Sequence, residues 1–316
     1  MTAIDYTGRT TLVTGAGSGI GKAFVHEFAR RGSDIVLVGR RLGRLEALAS
    51  ELGGRHGVRA TAISLDLAVP GAGRMLAADL ATRGITITGL VNNAGFATDR
   101  VFHEEDPDRL TDEINVDVAN LVDITRAFIE PLRRAESGVL ANVASMAAHT
   151  PTPGMAVYSA SKAFVLSFTE SIWYESRGTG LRVLCLSPGL TRTEFFDNLG
   201  GGTYKGNYQS PEDVVRTAVR ALDRGRGPSV TSGRRNALAV KLPRLLTRRR
   251  AVIIGGAFSA RAGAGAAPGP EPAHSASKAF VLSFTESIWY ESRGTGLRVL
   301  CLSPGLTRTE FFDNLG

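Results

Sequence analysis

Thr10-Thr-Leu-Val-Thr14, Gly15-Ala-Gly-Ser-Gly19-Ile-Gly21 and Lys22-Ala-Phe-Val-His-Glu-Phe-Ala-Arg-Arg31 follow one another without a break. The first stretch is a short β-rich run, the second a glycine-dense turn, the third a helical pattern. A second apolar run, Asp34-Ile-Val-Leu-Val-Gly39, comes next. Strand, glycine turn, helix, strand is the arrangement that sets a dinucleotide pyrophosphate on a helix N-terminus. Glycine suits the turn because the backbone must bend tightly and let phosphate approach with no Cβ in the way. Glycine patterns are common in ordinary turns, and it is the place between strand and helix that gives this one meaning.

The alternation continues outward from this unit. Apolar strand-like runs recur near 59–67, 89–95, 138–146 and 182–187, with amphipathic helical stretches over 107–134, 156–177 and 211–224. Such alternation predicts an α/β fold, a Rossmann-like doubly wound parallel sheet covered on both faces. Residues 1–262 fit one large domain of this kind, followed by a C-terminal extension.

Three further motifs follow in order. Asn92-Asn-Ala-Gly95 ends the apolar run Gly89-Leu-Val, at a strand end where an open parallel sheet gathers its ligand. Ser145 closes the run Gly138-Val-Leu-Ala-Asn-Val-Ala-Ser145, where its hydroxyl either holds a carbonyl oxygen or caps the backbone. Tyr158 and Lys162 stand four apart in Tyr158-Ser-Ala-Ser-Lys162, a spacing that stacks them on one helix face. A nearby ammonium stabilises phenolate, so the pair predicts a Tyr158 pKa lowered toward working pH. A phenol tuned in this way passes a proton to or from a substrate oxygen.

Thr14-Gly-Ala-Gly-Ser-Gly-Ile-Gly21, Asn92-Asn-Ala-Gly95, Asn115, Ser145, Tyr158, Lys162 and Pro188-Gly189 together resemble the short-chain dehydrogenase/reductase family, over about residues 8 to 235. The resemblance implies a single domain with about seven parallel strands and a catalytic group of Asn115, Ser145, Tyr158 and Lys162. Tyr158 is the acid/base, Ser145 orients the substrate oxygen, Lys162 also holds the nicotinamide ribose, and Asn115 anchors a water-linked proton relay. It further implies that Thr14, Gly15, Gly17, Ser18, Gly19, Ile20 and Gly21 cradle the cofactor with Asn92, Ala94 and Gly95. Asp66 with Leu67 meets the adenine, and Pro188, Gly189, Leu190 and Thr193 lie over the nicotinamide carboxamide.

Charge decides the expected cofactor. Members of the family that bind NAD carry an acid at the end of the second strand, where it accepts from a ribose hydroxyl. Here Gly39 takes that position and Arg40 and Arg41 follow. Guanidinium pairs with a 2′-phosphate, so NADP(H) is expected over NAD(H); the other reading is that both arginines only cap the surface before the next helix. After Pro188-Gly189, the run Glu194 to Tyr204 should form a substrate lid, with Phe195, Phe196, Leu199 and Tyr204 making it apolar. Phe96 and Met155 are placed on the same wall and Ser145 beside the reacting oxygen. No Lys or Arg is aimed at a substrate carboxylate, so an apolar carbonyl or secondary alcohol is expected, unless the phenylalanines are ordinary core. Two other functions stay open: a catalytically weak cofactor-binding regulator or scaffold, and a membrane-surface lipid reductase.

The net charge of +7 is uneven, with ten basic residues and no acidic one between Arg224 and Arg261. The apolar residues of 236–258 within that stretch suit either an anionic membrane surface or a C-terminal helix packed on the domain or on a second subunit. The arginines lack the pattern of a nucleic-acid module, and no His/Cys cluster has metal-ligand spacing. Met1-Thr-Ala-Ile-Asp-Tyr6 does not read as a signal peptide, and no long apolar run reads as a transmembrane helix. Two cysteines, Cys185 and Cys301, give no disulfide framework and suit a reducing cytoplasm. A homodimer or homotetramer is the expected assembly.

The last feature is a repeat. Ser159–Gly200 and Ser275–Gly316 are identical letter for letter, 116 positions apart. Residues 263–274 between them have Ala/Gly/Pro linker composition. The second copy has His274 where the first has Tyr158, so Lys278 repeats Lys162 without its phenol and no second active site is expected. It does spell a helix over Ala279–Tyr290 and a strand over Leu297–Leu302. One domain has one slot for each, and the copy contiguous with its neighbours should keep it, since long loop closure costs more entropy. Complete identity implies a recent duplication or an error in assembling the gene sequence.

Overall fold

The computed structural model describes residues 4–195, 197, 199, 206–242, 247, 249–253, 276–293, 295 and 297–302. The elements in chain order are β1 (Thr10–Thr14), α1 (Gly19–Arg30), β2 (Asp34–Gly39), α2 (Leu42–His56), β3 (Ala60–Ser64), α3 (Ala72–Thr82), β4 (Gly89–Asn92), α4 (Pro107–Ile114), α5 (Asn120–Arg134), β5 (Val139–Val143), α6 (Ala156–Glu175), β6 (Arg182–Ser187), α7 (Pro211–Asp223), β7 (Ser229–Thr231), α8 (Arg234–Ala239) and α9 (Ala276–Glu291). The seven strands form one sheet in the order β3-β2-β1-β4-β5-β6-β7, every pair parallel. The order reverses between β1 and β4, which is where an open parallel sheet leaves a crevice.

Successive strand residues point to opposite faces, and the core divides accordingly. Val13, Leu37, Val91 and Leu184 pack with Phe24 and Phe28 of α1 and Val219 of α7. Leu12, Val36, Leu90 and Leu140 pack on the other face with Leu76 of α3 and Ile124 and Phe128 of α5. Both faces being covered explains why β1, β2 and β4 read as continuous apolar runs.

The helical stretch expected over 107–134 is broken once. Asp106 caps α4 by accepting from the Asp108 amide, with Pro107 in the first turn. Between α4 and α5 the rod widens into a π turn at Asn115–Ala119. Such bulges change which residues share a helix face.

The first copy of the repeat keeps its places: α6 covers the sheet and β6 pairs with β5 and β7. The second copy forms α9, which packs on α6. Its expected strand does not form: residues 297–302 carry no strand structure, and Leu300 is 79% exposed where its counterpart Leu184 in β6 is 1% exposed. The slot between β5 and β7 is already filled, and a lone strand has no ladder to join. The linker 263–274, with His274, lies outside the described residues, as does most of 243–258. Of the basic stretch, Val240, Ala251 and Val252 are buried while Leu238 and Leu242 are exposed. Among the described residues no helix is long and apolar enough to cross a membrane.

Candidate active site

The glycine turn joins β1 to α1, and Gly15 and Gly19 take left-handed backbone (φ 64° and 52°). A Cβ on Gly21 would run into the Gly15 carbonyl, so the turn closes only with glycine there. The Thr14 hydroxyl accepts from the Asn93 and Ala94 amides, each at 3.0 Å, and Asn93 Nδ2 donates to the Thr14 carbonyl at 2.9 Å. The turn after β1 and the turn after β4 are thus held together. Ser18 stands just before α1, whose N-terminus opens beside the turn with Gly17 and Ile20.

Asn92 departs from expectation. Its side chain is buried and donates to Thr125 Oγ1 at 3.0 Å and Asn142 Oδ1 at 2.9 Å. As the last residue of β4 it points into the sheet's interior, and Asn93 takes the place at the cleft. Asp66 follows β3, exposed, its Oδ1 accepting from the Ala68 amide at 3.0 Å. The Leu67 side chain belongs to the core, and its carbonyl accepts from Asn120 Nδ2 at 2.6 Å.

The loop after β6 folds back over this region. The Pro188 carbonyl accepts from the Met146 amide at 2.9 Å, beside Ser145. Gly189 abuts Asn236, and Leu190 is held through its carbonyl by the Gln209 amide at 2.9 Å. Thr193 lies against Gly19, so that a Cβ there would stand 2.8 Å from Thr193 Cγ2. Arg40 is exposed at the end of β2. Arg41 and Arg44 pair with Glu194 at 3.0 and 2.8 Å, and the Arg41 hydrogen bond leads in holding that carboxyl below its ordinary range.

The expected acid/base group assembles at the β5 end and on α6. The Ser145 hydroxyl stands close enough to the Tyr158 phenol to favour its ionised form, and accepts from the Ala147 amide at 3.1 Å. Lys162 Nζ lies 5.5 Å from the Tyr158 ring centre. Lys162 is also paired with Asp117, at 2.7 Å and with both side chains buried. Asp117 Oδ1 accepts from the Phe96 amide at 3.2 Å, and Glu113 accepts from the Thr98 amide and hydroxyl at 3.1 and 2.7 Å. Asn115 is half-buried in the π turn and makes no side-chain hydrogen bond among the described residues. The widened turn sets Asp117, not Asn115, against Lys162.

The electrostatics correct one expectation. Burial, the largest influence, lifts the Tyr158 phenol above its ordinary value, and Lys162 and Ser145 do not overcome it. Asp117 and Glu113 add to the rise. Burial works against the Lys162 charge, but Asp117, Tyr158 and Glu113 together outweigh it and hold the ammonium above its usual range; burial also lifts the Asp117 carboxyl above its ordinary value, against the pull of Lys162. Glu113 is pushed up to about 8, first by burial and then by Asp117. Glu113 and Asp117 were not singled out from the sequence. The available signal was their register: four apart, on the stripe that continues through Leu121, Ile124 and Phe128.

Around Tyr158 the side chains are apolar. Ala97, Met155 and Leu199 are buried against it and Ala147 and Phe195 pack alongside. The Phe195 and Tyr158 rings are 5.6 Å apart. Met155 and Phe195 thus both pack beside Tyr158. Phe96 is half-buried at the same corner but its ring is not in this cluster. Phe196 and Tyr204 lie outside the described residues.

A crevice at the strand-order reversal, with a helix N-terminus and glycine backbone a Cβ would block, fits a dinucleotide. The short chain dehydrogenase family profile matches residues 9–202. A sulfoacetaldehyde reductase of Chromohalobacter salexigens is 41% identical over 214 residues, 67% of this chain and 81% of that protein. A 7beta-hydroxysteroid dehydrogenase of Collinsella aerofaciens is 31% identical over 239 residues, 72% of this chain and 88% of that protein. Among solved structures, a short-chain dehydrogenase from Sphingobium yanoikuyae in complex with NADPH superimposes with a TM-score of 0.67 at 30% identity, covering 75% of this chain and 92% of that one.

Proposed function

The chain belongs to the short-chain dehydrogenase family and is an oxidoreductase acting on CH–OH groups with a nicotinamide cofactor, and we propose that it prefers NADP(H) and takes an apolar carbonyl or secondary alcohol. The observation that carries this reading is the Tyr158 phenol, beside Ser145 and packed among Met155, Phe195 and Leu199. A polar reactive atom under an apolar wall suits a substrate with one carbonyl or hydroxyl and an otherwise apolar body.

The glycine turn Gly15–Gly21 and the α1 N-terminus would hold the pyrophosphate, Arg40 and Arg41 the 2′-phosphate, and Asp66 the adenine. Lys162 would hold the nicotinamide ribose, and the Pro188–Leu190 segment with Thr193 the carboxamide. When bound, the nicotinamide supplies or takes up the hydride at the carbon of the C–O group. Tyr158 holds its proton firmly because burial raises its pKa. In the reducing direction it therefore acts as the acid, donating from its Oη to the substrate oxygen. Ser145 donates a hydrogen bond to the same oxygen and steadies its developing charge. The Lys162 ammonium faces the phenolate that remains, and Asp117 keeps that ammonium charged and in place. Phe195 and Leu199 keep water from the phenol.

The Arg40-Arg41 pair, with no acid at the end of β2, supports NADP(H). Among the known relatives, the Sphingobium yanoikuyae enzyme was solved with NADPH. We read residues 275–316 as a non-catalytic duplicate, since His274 stands in the place of Tyr158, and the free, buried Cys185 as suited to a cytoplasmic protein. The test is NADPH against NADH oxidation over a panel of carbonyl compounds with the purified protein. Turnover of hydrophobic ketones with NADPH is expected, and turnover confined to small charged aldehydes would overturn the substrate class.

A further inference from the structure

Glu194 stands between two residues that the site already uses. Thr193 before it lies against Gly19 of the glycine turn, and Phe195 after it packs on the Tyr158 ring. The Glu194 carboxylate itself reaches the start of α2. Its Oε2 accepts from Arg41 Nη2 at 3.0 Å, and its Oε1 and Oε2 accept from Arg44 Nη1 at 2.8 and 3.0 Å. The first turn of α2 carries no acid of its own, so this carboxylate is brought to it by a distant part of the chain. Two guanidinium groups thus engage both oxygens of one anion, a charge-assisted pattern that a phosphate also takes on arginine.

We propose that Glu194 is a specificity-determining residue, an internal competitor that gives up Arg41 when the 2′-phosphate of NADP(H) takes it and that NAD(H) leaves undisturbed. The proposal rests on the reading that Arg40 and Arg41 hold the 2′-phosphate. A phosphate on the Arg41 guanidinium stands beside the Glu194 carboxylate, and two anions so placed repel. The exchange is open to a ligand because the pairs are weak. The Arg41 and Arg44 side chains are each 51% exposed and that of Glu194 44%, and ion pairs so open to water contribute little. The Arg41 hydrogen bond, with Arg44 behind it, holds the Glu194 carboxyl below its ordinary range, so it competes as an anion. NAD(H) presents a neutral ribose hydroxyl at the same place and meets no such repulsion. The preference for NADP(H) is therefore smaller than Arg40 and Arg41 alone would set.

The test is binding without turnover, by calorimetry on the full chain. Adenosine 2′,5′-bisphosphate and adenosine 5′-phosphate differ only in the 2′-phosphate, and the wild type should bind the bisphosphate more tightly. Glu194→Gln keeps the size of an exposed side chain and removes its charge. It should tighten the bisphosphate roughly two- to tenfold, the worth of one or two exposed ion pairs, and leave the monophosphate unchanged. Adding Arg41→Ala should cancel most of that gain, since phosphate and carboxylate then no longer contend for the guanidinium. A wild type that does not distinguish the two nucleotides would overturn the arginine reading and this proposal with it. A wild type that prefers the bisphosphate, while Glu194→Gln leaves its affinity unchanged, weakens either nucleotide or tightens both alike, would overturn the competition alone, as would a gain that Arg41→Ala does not diminish.

Discussion

Asp117→Asn tests the electrostatic reading of the site most directly. Asp117 and Lys162 are 2.7 Å apart with side chains 0% and 6% exposed, so water does little for either charge. Asparagine keeps the shape and can still accept from the Phe96 amide, but it removes the anion. Breaking a buried pair from one side costs about 3–5 kcal/mol, because the remaining charge is left without a counter-ion. For a domain of this size each kcal/mol lowers the melting temperature by roughly 2–4 °C, so a drop of roughly 6–20 °C is expected. Lys162→Met alone should cost less, since a buried carboxyl can take up a proton where the ammonium had stood. The double variant Asp117→Asn/Lys162→Met removes both charges and should be more stable than the sum of the single losses implies, by about 0.5–3 kcal/mol. Thermal and urea unfolding followed by circular dichroism give all four corners of the cycle. A loss below about 1 kcal/mol for Asp117→Asn, or strict additivity in the double variant, would refute the claim that these charges hold each other in the interior.

Four other outcomes are expected. Glu113 carries a folded-state pKa near 8 against an ordinary 4.5, so the folded protein holds that proton more tightly than the unfolded chain. Its contribution is fully present below the ordinary value and is lost as pH rises through about 8, and Glu113→Gln should flatten the fall in melting temperature over that window; an unchanged slope would speak against it. Tyr158→Phe should lower turnover by about 10²–10⁴ while leaving NADPH affinity, read by fluorescence titration, within a few-fold. Arg40→Ala should raise the KM for NADPH roughly ten- to hundred-fold, as loss of a charge-assisted bond to phosphate does, and hardly touch that for NADH. Deleting residues 267–316 should leave a folded enzyme with NADPH-dependent activity, since every expected catalytic and phosphate-binding residue precedes residue 200, and an inactive or insoluble product would mean that the second copy belongs to the working fold.

Much of this was legible because it is local. The glycines at 15, 19 and 21 announce a turn whatever surrounds them, and the alternation of apolar runs with helical stretches forecasts the parallel sheet. Tyr158, Lys162 and Ser145 fall at fixed places relative to strand ends, and they do converge. What was not legible depends on tertiary register. That Asn92 points inward to Asn142 and Thr125 while Asn93 faces the cleft follows from the phase of β4 against β5. The π turn at Asn115–Ala119 is one residue's worth of slack in a helix, without a marker in the letters, yet it decides that Asp117 meets Lys162. The rise in the Tyr158 pKa comes chiefly from burial, which no four-residue spacing reveals. The second copy's strand failed for a reason outside its own sequence, since its only matching edge was already paired.

The Thr14 hydroxyl has a consequence beyond its two hydrogen bonds. One oxygen receives the amides of Asn93 and Ala94 while its own residue ends β1. The two turns that flank the crevice therefore cannot open separately, and the crevice has a fixed gauge before anything enters it. A ligand spanning both turns has little backbone freedom left to quench on arrival, so its affinity is set by contacts and hardly by ordering. The same economy concentrates risk: a change at this one side chain, such as Thr14→Val, slackens both banks of the crevice at once, and the protein would lose its grip on a long ligand more than on either half of it.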